Sequence, residues 1–255
     1  MGSPCLFNLG TVKIGSIWAL SSLKLTPPRF TSTMRLMSKR PPYHHGDLRP
    51  ALLAASLALI DEGGIGALSL REVARKAGVS HNAPYHHFED RGSLLAALAE
   101  AGFAALADDM AAARAAAPDA VARLTACGEA YVRFALRSPA RFKLMFRPEL
   151  LGPREEGPVA QSSARALDIL TSAIAEAQAA GLVPAGDPRP LVLTCWSAVH
   201  GVASLILDGP LTRAQRAFRT PPEKLAMLVP ATLTSLLIGS ARKRRGAPRA
   251  RINSG

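Results

Sequence analysis

From Leu52 onward the apolar or small residues Leu52, Ala55, Ser56, Leu59, Ile60 and Gly63 recur at steps of three and four, the spacing that gathers side chains on one face of a helix. The run ends at "EGGIGA", whose glycines supply turn chemistry. A second pattern opens at "SLRE", Ser69 to Glu72, which reads as a capping box: the Ser hydroxyl and the Glu carboxylate each satisfy a free backbone N–H at a helix start. Its inward face is Leu70, Val73, Ala74 and Ala77, and Gly78 follows where a left-handed C-cap is least strained. The small Ala74 leaves room for another helix to cross closely. Ser80 is then placed to cap a short third helix that turns Val79, Pro84 and Phe88 inward. Helix, tight turn and helix within about twenty residues is a DNA-binding geometry.

After Asp90, itself a plausible cap, the Ala-rich stretch "SLLAALAEAGFAALADDMAAARAAA" predicts one long helix running toward Pro118, a connector between two domains. Beyond it, segments near 120 to 137, 139 to 147, 158 to 181, 189 to 207 and 222 to 241 are apolar, helical in period and bounded by Pro or Gly. No stretch reads as strand. The expected fold is all-α, with a three-helix helix-turn-helix domain at 41–100 and a larger helical domain at 101–241. Residues 1–40 have no sustained period and read as a disordered arm or an over-extended start, with Met34 or Met37 as the natural first residue. Residues 242–255 read as a basic disordered tail.

Charge narrows the partner class less than its size suggests. The net charge is +12, yet residues 1–40 hold six basic and no acidic residues, and residues 242–255 hold six more. Between the tails 31 − 12 = 19 basic residues face 19 acidic ones, so the body is formally neutral. Cys5, Cys127 and Cys195 are too far apart in sequence for a zinc ribbon or a disulfide framework, which points to a reducing cytoplasm. No apolar run is read as a membrane span, and "IGSIWAL" lacks the flanks of a signal peptide. Neither cofactor nor metal is expected: His44, His45, His86 and His87 come as adjacent pairs that point apart on a helix, with no third ligand at suitable spacing.

In a helix starting after Ser80, the side chains of His81, Asn82, Tyr85 and His86 point away from the inward set. Such a face suits a major groove: Asn pairs with adenine N6 and N7, His with base edges, and Tyr with phosphate. Arg91 and the free N–H groups at the next helix start suit a phosphate. Ser69, at the start of the second helix, completes the candidate DNA-contacting set of Ser69, Ser80, His81, Asn82, Tyr85, His86 and Arg91. His87 is expected to be a core or inter-helix hydrogen-bonding residue.

"SLREVARKAGVSHNAPYHHFEDRGSLLAAL" resembles the N-terminal helix-turn-helix domain of the tetracycline-repressor (TetR) family, carried by Leu70, Val73, Ala74, Gly78, Val79, Ser80, Tyr85, His87 and Phe88. The resemblance implies a helix in the major groove after Gly-Val-Ser, with Tyr85 on the DNA backbone and Arg91 on phosphate. The sequence departs at Gly92, where the family has Glu, which is expected to weaken the next helix's start. Downstream, "CWSAVHGVASLIL" resembles a subgroup named for its Trp-x-x-x-His-Gly spacing, here Trp196, His200 and Gly201, and "SPARFKLMF" is similar to the same subgroup. Gly201 is expected to let another helix approach.

The resemblance implies a ligand-responsive transcription regulator, a repressor, that binds a near-palindromic operator as a homodimer. The apolar helices near 189–207 and 222–241 suit a four-helix interface between copies. Phe142, Met145, Phe146, Leu170, Ile174, Trp196 and His200 are the effector-pocket candidates, few charges lie among them, and the effector is expected to be small and largely apolar. Effector binding would tilt the connector helix and respace the reading heads. His200 is more simply a satisfied structural histidine, and Cys195 a buried inert thiol rather than an oxidant sensor. Two rivals remain in view. One is a non-specific architectural DNA-binder driven by the basic tails. The other is a helical enzyme using His86, His87 or His200, for which no paired carboxylate or nucleophile constellation is present.

Overall fold

The computed structural model describes residues 48–151, 157–211 and 219–246, and among these there is no strand. The arm at 1–40, including Met34 and Met37, lies outside the described residues, as do His44 and His45 just beyond it and the tail from 247. The opening part of the basic segment differs from expectation, because the last helix continues to Gly246.

The helices are α1 (Leu48–Gly63), α2 (Leu70–Ala77), α3 (Arg91–Ala116), α4 (Ala120–Arg137), α5 (Pro139–Met145), α6 (Pro148–Leu151), α7 (Pro158–Ala179), α8 (Arg189–Leu207) and α9 (Pro222–Gly246), with 3₁₀ turns at Ile65–Ala67 and Ala83–His86. Local chemistry sets most of these ends. Asp90 caps α3 with a complete capping box: its carboxylate accepts from the Ser93 N–H at 2.7 Å, and its own N–H donates to Ser93 Oγ at 3.1 Å. The start expected to be weak at Gly92 is therefore secured from the residues on either side of it. Asp119 caps α4 with its carboxylate, which accepts from the Ala122 N–H at 2.9 Å. At Ser69 only half the expected box forms. The Ser69 hydroxyl accepts from the Glu72 N–H at 3.2 Å, but the Glu72 carboxylate turns to Arg75 instead, at 2.8 Å from its Nε. Gly78 takes the left-handed conformation, φ 71°, that ends α2.

Two apolar clusters form the core. The head cluster joins Leu52, Leu59 and Ile60 of α1, Leu70 and Val73 of α2, Phe88, and Leu94, Leu95 and Leu98 from the first turns of α3. The body cluster begins one turn further along α3, at Phe103, and gathers the inward faces of α4, α7 and α8. Helix α5 takes part in both. Phe142 and Met145 are buried in the body cluster, while Leu144, fully buried, belongs to the head cluster. Close approach is built in at two glycines. A Cβ on Gly102 would lie 2.6 Å from Met145 Sδ, and one on Gly128 would lie 2.9 Å from Pro230 Cβ, where α9 crosses α4. Next to that second crossing, Thr125 Oγ1 donates to Thr234 Oγ1 at 3.1 Å.

Candidate DNA-contacting face and ligand cavity

The segment after α2 must turn sharply, bury an anchor and reach the Asp90 cap within a dozen residues. It does so with 3₁₀ bonding. Tyr85 N–H donates to the Asn82 carbonyl at 3.1 Å and His87 N–H to the Pro84 carbonyl at 3.0 Å, while Pro84, lacking an N–H, is fully buried. Pro84 and Phe88 are the anchors. Ser80, His81, Asn82, Tyr85 and His86 are all exposed, Tyr85 by 57 %, so these five candidates share the surface assigned to them. Three details differ from expectation. The reading element is a 3₁₀ turn rather than the short helix expected, Ser80 does not cap it with its side chain, and His87, expected in the core or bonding between helices, is exposed.

Arg91 is the larger correction. Its Nε donates to the Leu68 carbonyl at 2.9 Å and its Nη2 to the Ile65 carbonyl at 2.7 Å, so the guanidinium staples the start of α3 to the turn between α1 and α2. The Ile65 carbonyl already accepts from the Leu68 N–H at 3.2 Å, and Arg91 adds a second donor to it and one to the Leu68 carbonyl. Ser69 is half-buried with its oxygen committed to the α2 cap. Sequence reasoning passed over Arg71, Arg75 and Lys76, which form an exposed basic stripe on α2. Arg75 pairs with Glu72 and Lys76 with Glu62, whereas Arg71 makes no salt bridge among the described residues. The basic residues spaced along an exposed helix face were the signal.

In the body, a cavity of about 470 Å³ opens between α3, α4, α7 and α8. Phe103, Leu106 and Met110 of α3 form one wall, Leu167 and Leu170 of α7 another, and Tyr131, Trp196 and Phe146 close the end. Of the seven pocket candidates, Phe146, Leu170 and Trp196 line it. Met145 and Ile174 are fully buried in the packing behind it, and Phe142 and His200 line a smaller neighbouring cavity. The α3 wall and Tyr131 were missed, although Phe103, Leu106 and Met110 carry helical spacing inside the Ala-rich run.

Tyr131 is buried, and its phenol sits in a chain. Trp196 Nε1–H donates to Tyr131 Oη at 3.3 Å, and Tyr131 Oη lies 2.8 Å from His200 Nδ1. Burial pushes the Tyr131 phenol well above its ordinary value and His200 below its own, so both are neutral at pH 7. Cys127 and Cys195 are buried too, and burial pushes each thiol up to about 11, the setting of inert rather than redox-active cysteines. Trp196 is 37 % exposed, less buried than its role in a packed helix suggests. Trp196→Ala is therefore expected to destabilise by about 1–2 kcal/mol, below the roughly 3–5 of a fully buried Trp; a melting curve showing the full loss would mean that the indole is covered in the assembled protein.

Among the described residues no three His, Cys, Asp or Glu side chains come together as metal ligands.

Two family models match the chain: one for bacterial regulatory proteins of the tetR family over residues 52–98, and one for the tetracyclin repressor-like C-terminal domain over residues 124–226. No curated protein matches. Among solved structures, the chain is similar to a protein of unknown function from Rhodococcus sp. RHA1, with 36 % identity, TM-score 0.67, and coverage of 78 % of this chain and 100 % of that one. It shares its fold with the TetR-family regulator PfmR from Thermus thermophilus (20 % identity, TM-score 0.55, 78 % and 99 % coverage). It does so too with a tetR-family regulatory protein from Rhodococcus RHA1 (21 %, TM-score 0.58, 74 % and 96 %). The head built on Pro84 and Phe88, the helical body behind it and these matches together place the chain in the tetR family of bacterial regulatory proteins: it is a DNA-binding transcription regulator and not an enzyme.

Proposed function

We propose that this regulator is a cytoplasmic repressor that binds a near-palindromic operator as a homodimer and leaves it when a small, largely apolar effector enters the 470 Å³ cavity. The observation that carries the reading is α5, which joins the cavity to the head. Phe146, immediately after α5, lines the cavity, and Leu144, two residues earlier, is packed in the head core. Arg141 on the same helix is desolvated near Arg137, with Asp61 of α1 the favourable charge. An occupant that displaces Phe146 therefore acts on the seat of α1 as well as on the connector α3. Release is a population shift, set by the effector's differential affinity for two head spacings. In this reading residues 41–100 are the reading domain and 101–241 the effector and dimerisation domain, of the Trp-x-x-x-His-Gly subgroup.

Dimerisation is supported by an uncovered face. On α8 Leu193, Ser197, Gly201 and Leu205 form a stripe at helical spacing; Leu193 is 60 % and Leu205 46 % exposed, and a Cβ on Gly201 would meet nothing. Gly201 thus opens no space for another described helix of its own chain, and the space suits a helix of a second copy. Leu228 and Leu236 of α9 are exposed as well. By length and composition α8 is apolar enough to cross a membrane, contrary to the sequence expectation. Its other face is buried in the body cluster through Val192, Cys195, Val199 and Val202, and a second copy covering the Leu193–Leu205 stripe accounts for the rest.

Selection of bound DNA from a random pool tests the reading: a two-fold symmetric site is expected, and equal recovery of all duplexes would favour the architectural rival. On that site, Asn82→Ala is expected to relax preference at one position by about 1–3 kcal/mol, while Tyr85→Ala weakens every sequence alike. Both side chains are exposed, so melting temperature should stay within about 0.5 kcal/mol equivalent of the parent. Unfolding of either variant would remove this segment from the DNA-contacting face.

A further inference from the structure

We infer that the effector is an amphipathic acid whose apolar body fills the large cavity while its carboxylate lies beside Lys143 in the adjoining polar cavity, past the ring of Phe146; this rests on the cavity being the effector site.

The large cavity has almost nothing with which to orient an occupant. Its polar groups are already committed: the Trp196 N–H to Tyr131, the Tyr131 hydroxyl to His200, and the Ser163 hydroxyl to the Ala160 carbonyl at 2.9 Å. No charged side chain lines it. Ligand sites normally combine an apolar lining with a few placed polar groups. Those groups lie across Phe146, in a second cavity of about 180 Å³ lined by Lys143, Arg147, His200, Ser204 and Asp208. Phe146 lines both spaces, its ring edge-on to Phe103 at 5.4 Å on one side and to His200 at 4.5 Å on the other. Phe146 is a half-buried wall common to both spaces, and the inference requires that a rotamer change in its ring opens a passage between them.

The second cavity suits an anion. Lys143 and Arg147 face a single lining carboxylate, Asp208. Lys143 Nζ has three donors and commits two, to Asp208 Oδ1 at 2.8 Å and to the Leu207 carbonyl at 3.2 Å. Arg147 pairs with Glu149 at 3.3 Å through one nitrogen of its five-donor guanidinium. The histidine adds a donor by elimination. An indole N–H only donates, so Tyr131 Oη accepts from Trp196; the buried Tyr131 O–H then finds its acceptor in His200 Nδ1, which leaves the imidazole neutral with its proton on Nε2. A carboxylate takes charge-assisted bonds from this set, a neutral hydroxyl only weaker ones, and an ammonium group meets repulsion. Lys143 also directly precedes Leu144, so an anion that competes with Asp208 for Lys143 acts on the helix seated in the head core.

Calorimetric titration of the full chain with octanoate, decanoate and dodecanoate, and with the alcohols and protonated amines of the same lengths, tests the inference. The best carboxylate should bind at one per chain, at least about tenfold tighter than its alcohol, with the amine weakest. Lys143→Met should remove that tenfold advantage and leave the alcohol unchanged, and Lys143→Arg should retain it. Ala164→Trp, which adds a large side chain to the α7 wall of the large cavity, should abolish binding of both. Equal binding of carboxylate and alcohol, both lost in Ala164→Trp, would overturn the acidic head group and leave the cavity as the effector site. Binding by none of the probes, or binding untouched by Ala164→Trp, would overturn the effector-site reading and this inference with it.

Discussion

Leu144→Ala should cost this regulator about 2–5 kcal/mol of stability, the range for a Leu whose deletion leaves a void that its surroundings only partly refill. Leu144 is fully buried, and it reaches the head core from a helix whose neighbouring side chains, Phe142 and Met145, are held in the body. The void cannot close by moving α5 toward α1, because that would pull Met145 away from Gly102. Operator affinity should fall with stability, since Phe88, the anchor of the reading segment, packs in the same cluster. Leu144→Met, which nearly conserves volume, should lose less than about 1.5 kcal/mol. Urea melts of both variants check this; an Ala variant as stable as the parent would show that α5 is not seated in the head.

Gly102→Val should be at least as damaging. Even the first added carbon falls 2.6 Å from Met145 Sδ, 2.9 Å from Met145 Cγ and 3.1 Å from Arg141 Cγ, so the fully buried Met145 side chain must shift to admit it. Overpacking of this kind costs about 1–3 kcal/mol for a single methyl and more for a branched side chain. Gly102→Ala sharpens the test, because the helix itself gains roughly 1 kcal/mol from alanine. A net loss means that the contact with Met145 outweighs that gain. Combining Gly102→Ala with Met145→Ala should destabilise by less than the sum of the two, since the second change removes the clash. Strict additivity in the melting data would place the loss elsewhere.

The all-helical fold was legible because its signals are local: Asp90 and Asp119 cap the helices that begin beside them, and Gly78 and Pro118 stand where α2 and α3 end. The exposed face of His81, Asn82, Tyr85 and His86 was legible for the same reason, since Pro84 and Phe88 settle which side turns inward. Arg91 was misread because a cation at a helix start resembles a phosphate ligand, while the carbonyls that occupy it lie 23 and 26 residues back. The cavity was only half legible. Apolar residues four apart, Leu170 and Ile174, divide between cavity wall and solid core, a choice made by the helices opposite. The Tyr131–His200 bond joins positions 69 apart, and no periodicity within either helix announces it.

The two sealed cysteines make the body its own reporter. Cys127 on α4 and Cys195 on α8 sit in one apolar cluster, with burial holding both as unreactive thiols. A water-soluble alkylating reagent attacks the thiolate, so it reaches these sulfurs only when α4 and α8 part. In a Cys5→Ser background, the labelling rate then measures how often the body opens, without a probe attached to the molecule. Anything that settles in the neighbouring cavity, operator-bound or free, would slow that clock in proportion to how firmly it holds the helices together.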